Sequence, residues 1–186
     1  MFRRGAVVGV IACSGAIAVA VPTALAAKPK TVTLGQLFTP TDTACTGPGT
    51  ALQTGVASGR PYTVPKKGVI TSWSWEDAAA TVSGLSLRVG RSVGGGMYKI
   101  VGAAKAGTQK AHKVNTYKTH IPVKAGDVIG FAISTTGPNG PCASMTTSPL
   151  NTVVTAQTVV PPGSSAPFTS VPKIKLPVSV RLQETR

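Results

Sequence analysis

From Lys28 to Arg186 no stretch of the chain keeps apolar residues at helical spacing, and that property removes every helix-based architecture from consideration. Short runs rich in Val, Ile, Thr and Tyr recur instead, bounded by clusters of Gly, Pro, Asn and Ser, which is the pattern of an all-β protein. The pattern predicts strands over 31–38, 68–76, 85–91, 97–103, 114–123, 127–134, 151–159 and 178–184, with weaker ones over 51–57 and 62–64.

Two runs show the period of two expected of half-buried strands. Leu85, Leu87 and Val89 alternate with Ser86, Arg88 and Gly90, and Ile129, Phe131 and Ile133 alternate with Gly130, Ala132 and Ser134. Gly94-Gly95-Gly96 suits a tight connection with positive φ, and the turn formers from Gly137 to Pro141 suit a hairpin loop before Cys142. So many strands in one domain must close or pair into two sheets to bury their apolar faces, and the expected fold is an antiparallel β-sandwich of jelly-roll type, with an open barrel as the alternative. The Pro- and Ser-rich stretch 161–177, with Phe168 as its aromatic residue, reads as a long surface loop.

Ahead of this domain, Arg3 and Arg4 precede an apolar stretch from Gly5 to Val21, which leads to Ala24-Leu25-Ala26. That order is expected of a secretory signal peptide over 1–27, followed by a single domain over 28–186. The apolar stretch would also fit an uncleaved anchor. Val10-Ile11-Ala12-Cys13 resembles a lipidation pattern, but modification there would leave an apolar Ser14-to-Ala27 segment where a polar tether is expected. No transmembrane span is expected after removal of the signal.

Export would leave Cys45 and Cys142, and an even cysteine count in an exported chain reads as a disulfide, here closing a loop of about 100 residues. It would also leave a basic protein: 19 Lys and Arg less Arg3 and Arg4 is 17, against 5 acids, for a formal charge of +12.

Four blocks carry a resemblance: Gly68-Val69-Ile70-Thr71-Ser72-Trp73, Leu85-Ser86-Leu87-Arg88-Val89, Tyr98-Lys99-Ile100-Val101-Gly102, and the run from Ile121 to Gly130. Over roughly Thr31 to Leu182 the chain resembles a functionally uncharacterised group of secreted actinobacterial β-sandwich proteins. The resemblance implies the fold and the export, and it carries over no catalytic or binding residue.

Few residues point to catalysis. A carboxylate pair needs two acids about 5–9 Å apart, and the adjacent acids Glu76 and Asp77 sit where a strand is expected to end in solvent. Asp127, in a Gly-Asp turn, is expected to bond local backbone N–H groups. His112 and His120 have no nearby Cys, Asp or Glu to complete a metal set, and no Gly-x-Ser-x-Gly elbow occurs. The expectation is a non-enzymatic protein without metal or cofactor.

Two constellations remain. Trp73 and Trp75 share one face of a strand, either as core or as an exposed platform with indoles about 7 Å apart that could stack on sugar rings. Arg88, Lys99, Lys118 and His120 fall on polar phases of successive strands, with Lys105, Lys110 and Lys113 in the loop between, and in a meander they would share an outer face. Such a face attracts polyanions, although it would equally keep the protein soluble and block edge pairing. The expected partners are anionic cell-envelope polymers or glycans, with no specific nucleic acid, since aromatics do not interleave the basic residues. A carbohydrate-binding module is the alternative, and an unrecognised hydrolase the third reading.

Overall fold

The computed structural model describes residues 29–41, 43–44, 47–78, 82–135 and 141–185, with Thr43 and Ala44 given as backbone only. Eight strands build the frame: β1 (Thr31–Gly35), β3 (Gly49–Gly55), β4 (Gly68–Glu76), β5 (Leu85–Gly94), β6 (Met97–Lys105), β7 (Val114–Val123), β8 (Val128–Ile133) and β14 (Val178–Glu184). They form an antiparallel β-sandwich, with β1-β14-β4-β7 as one sheet and β3-β8-β5-β6 as the centre of the other. That alternation between sheets is the jelly-roll order expected from the sequence.

The remaining strands are short: β2 (Thr43–Ala44), β9 (Pro141–Met145), β10 (Thr152–Ala156), β11 (Ser165–Pro167), β12 (Thr169–Pro172) and β13 (Ile174–Lys175). β10 extends the second sheet beyond β3, and β9 pairs with β2 and β13. The supposed surface loop 161–177 is therefore largely paired. β11 pairs with β6 and β12 with β10, so the two margins of the seven-stranded sheet meet in one continuous segment, 165–172. The sheet curls closed.

Closure produces two cores. Between the sheets, Ile70, Trp73, Trp75, Val178, Val180 and Leu182 pack against Leu85, Leu87, Val89, Ile129, Phe131 and Ile133. Trp75 meets Phe131 edge-on across the gap, ring centres 4.9 Å apart. Inside the curled sheet, Leu52, Ile100, Val128, Val154, Val160 and Phe168 form a separate cluster. Phe168 seals it, 5.4 Å from the ring of Tyr98.

This second core corrects one expectation from periodicity. The predicted half-buried pattern fails in β5 and β8, where every residue from Leu85 to Gly90 and from Val128 to Ile133 is buried. Small or apolar residues on the supposed outer phase face the inside of the curled sheet: a Cβ on Gly90 would overlap the Leu52 side chain. In β4, a bulge between Ile70 and Ser72 shifts the register, so Ile70 rather than Val69 or Thr71 joins the indoles in the core.

Two polar side chains bind the added segment to the frame. Gln53, fully buried on β3, donates to the carbonyls of Gly55, Thr152 and Ile174 and accepts from Leu176 N–H. The Tyr62 hydroxyl donates to Leu176 O at 2.6 Å and accepts from Gln36 N–H, and burial pushes its pKa well up. Cys142 is buried on β9, while its expected partner Cys45, the signal segment 1–27 and the turn at 137–140 lie outside the described residues.

Candidate functional site

The sheets sort the charges by sign. Among the described residues no acid is fully exposed: Asp77 and Asp127 are buried, and Glu76 and Glu184 are half-buried. Lysines 30, 66, 67, 99, 105, 110, 113, 118, 124 and 173, with Arg60 and Arg181, are exposed.

Both aspartates are held by the structure. Asp127 takes two parallel bonds from Arg91, Nε at 2.7 Å and Nη2 at 2.8 Å, and accepts Lys124 N–H at 2.8 Å, so the expected backbone contact in its turn is present. Asp77 does not end its strand in solvent. Its carboxylate accepts from Trp75 Nε1 at 3.0 Å and Asn115 Nδ2 at 2.8 Å, because the connection after β6 folds over it. Burial raises its pKa, partly offset by the indole hydrogen bond. Asn115 also donates to the carbonyls of Lys110 and Lys113 and accepts Lys110 N–H, which fixes the loop displaying Lys110, His112 and Lys113.

The shared basic face expected from a meander is divided, because the chain crosses from one sheet to the other between β6 and β7. Lys118 and His120 stand on the outer face of the four-stranded sheet. Lys99 belongs to the other sheet, opposite Arg91 and Ser165. Arg88 is buried inside the curled sheet and leaves the basic surface altogether.

What the four-stranded sheet gains is Arg181. Pairing sets Thr33, Arg181, Ser72 and Lys118 in one row across its strands, and the next row carries Ser74 and Thr116, hydroxyls 2.8 Å apart. Backbone pairing brings Lys30, Lys67 and Lys124 to one end of this sheet: Glu184 N–H meets Lys30 O, Thr185 N–H meets Lys67 O, and Gly68 lies opposite Val123. The alternation of Val180, Arg181 and Leu182 carried a signal for Arg181 that charge counting along β5 to β7 passed over. This face is hydroxylated and cationic.

Trp73 and Trp75 form no exposed platform, since both indoles are fully buried in the inter-sheet core. Trp73 leans on Tyr117, ring centres 4.8 Å apart, and its Nε1 has no partner. Sugar stacking on these indoles is thereby ruled out.

Among the described residues no group of three or more His, Cys, Asp or Glu could hold a metal ion, and no helix is long and apolar enough to cross a membrane. A cavity of about 720 Å³ opens at one end of the curled sheet, lined by Arg88 and Lys105 among mostly small or apolar residues. No protein-family model, curated protein or solved structure matches the chain.

Proposed function

We propose that this is a secreted, non-enzymatic β-sandwich that holds acidic polymers of the extracellular surface against the outer face of its four-stranded sheet. The observation that supports this most is the sorting of charge: exposed cations with every described acid buried or half-buried. Such a field steers polyanions inward and binds them by releasing their counterions. Lys118, His120 and Arg181 would make the contacts, hydroxyls of Ser72, Ser74 and Thr116 would accept or donate between them, and Lys30, Lys67 and Lys124 would continue the track. The two buried aspartates favour a binding role over a catalytic one, since each already serves a structural hydrogen-bond set.

Export brings with it a Cys45–Cys142 disulfide. The pairing of β2 with β9 sets Ala44 opposite Pro141, so the residues that precede the two cysteines are partners in one ladder. Co-sedimentation with isolated cell envelope and with insoluble neutral polysaccharides, from low salt to about 0.5 M, tests the reading. Envelope binding that disappears with salt supports it. Binding that resists salt but yields to a soluble sugar favours a lectin-like surface instead, and no binding at any salt overturns both.

A further inference from the structure

Arg88 is a buried cation that pairs with no acid among the described residues. A guanidinium has five N–H hydrogens, and three are engaged: Nε with Val160 O at 3.3 Å, and Nη1 with Ser86 Oγ at 2.7 Å and Leu87 O at 3.1 Å. All three acceptors are neutral. No described residue accepts from Nη2. Trp73 Nε1 is the fully buried, unpartnered side-chain nitrogen among the described residues, so Nη2 keeps contact with open space. The open space that Arg88 lines is the cavity at the end of the curled sheet.

The surroundings define what that nitrogen would accept. Asp127 is taken by Arg91, and Asp77 by Trp75 and Asn115, so neither neutralises Arg88. The cavity walls include Leu85, Ala103, Ala106, Val159 and Pro162, and Lys105 is exposed on its lining. Desolvation depresses the Arg88 pKa, the cost of a buried charge with no opposite charge beside it. Its volume is in the range of small-molecule pockets, roughly 300–1,000 Å³.

We propose that this cavity binds a small organic monocarboxylate, its carboxylate on Arg88 Nη2, its apolar body against Ala103, Ala106, Val159 and Pro162, and Lys105 at the mouth. A neutral guest would bury Nη2 without a charged acceptor. A phosphate or sulfate needs more donors than one guanidinium nitrogen supplies, and it gains nothing from apolar walls. The inference stands independently of polymer binding, since the cavity lies inside the seven-stranded sheet and the polymer track on the outside of the other.

Calorimetric titration of the protein expressed from its full-length sequence, with hexanoate and benzoate as probes, tests this site. Hexanamide, benzamide and inorganic phosphate serve as comparisons. The carboxylates should bind, the amides at least tenfold more weakly, and phosphate more weakly than either carboxylate. Ala103→Phe, which fills the cavity from the position paired with Arg88 across the β5–β6 ladder, should abolish carboxylate binding, Arg88→Met should do the same, and Lys105→Gln should weaken it severalfold. If Arg88→Met does not fold, the amides and Ala103→Phe decide. Amides binding as well as carboxylates, phosphate binding best, Ala103→Phe leaving affinity unchanged, or neither carboxylate binding at millimolar concentration would each overturn the proposal. Envelope co-sedimentation of Ala103→Phe should be unchanged, which separates failure at this site from failure of the polymer track.

Discussion

Arg91 holds Asp127 through two parallel hydrogen bonds, 2.7 and 2.8 Å, with the carboxylate fully buried and the guanidinium about one third exposed. The pair joins the far end of β5 to the turn before β8, which also receives Lys124 N–H on the same carboxylate. Arg91→Leu leaves a buried carboxylate with only its backbone donor. Urea unfolding should show a loss of about 2 kcal/mol, more than an exposed ion pair would give.

Asp77 gives stability a pH dependence of unusual sign. Its folded pKa is raised from the ordinary 3.8, first by burial, so the folded state holds the proton more tightly than the unfolded chain does. Below the unfolded pKa both states are protonated and no penalty exists. As pH rises through the folded pKa the penalty becomes complete, so this carboxylate lowers stability with rising pH. Urea unfolding across this range should show that component in the native sequence and lose it in Asp77→Asn.

Gly130 has no room for a side chain. A Cβ there would overlap the Ala51 carbonyl oxygen and lie 2.7 Å from Leu52 Cα, both backbone atoms of the neighbouring strand. Gly130→Ala should therefore cost about 3 kcal/mol or more, read as a lower thermal midpoint, because backbone cannot step aside as a flexible side chain can.

The double substitution Lys118→Gln with Arg181→Gln removes two exposed charges from the proposed polymer track. Envelope co-sedimentation at low salt should fall severalfold, and its salt dependence should flatten. Unfolding free energy should change by less than about 0.5 kcal/mol, since neither side chain is buried.

The proposed Cys45–Cys142 bridge is tested by the intact mass of the protein before and after reduction, which should rise by two hydrogens. Reduction should lower stability by about 2–4 kcal/mol, given the length of chain the bridge closes. Two thiols in the unreduced protein would rule the bridge out.

Long, strongly patterned strands were legible in the sequence because one physical cause, burial against the opposite sheet, sets their alternation. The runs at 68–76, 114–123 and 178–184 coincide with β4, β7 and β14. β9, β11, β12 and β13 escaped notice because strands of two to five residues, with Pro141, Pro167 and Pro172 among them, show too little alternation to outweigh their turn formers. Arg88 departs from the expected outer face for a related reason. A charged residue on a strand's polar phase signals solvent only when nothing covers that phase, and here residues far along the chain, Val160 among them, do. Lys118 and His120 lie on an outer face, as their strand phase predicts, but their neighbour Arg181 comes from the last strand, and a meander of β5 to β7 alone does not bring it in.

The segment 165–172 has a consequence for how the protein meets others of its kind. A sheet margin with unpaired N–H and C=O groups is a template on which foreign strands add and fibrils grow. Here β6 and β10 are each covered by one stretch of the same chain, so the described sheet ends in strands of only three and four residues, each carrying a proline, which offer a poor template for recruitment. Copies of the chain brought close together would therefore find little exposed backbone along that sheet on which to add.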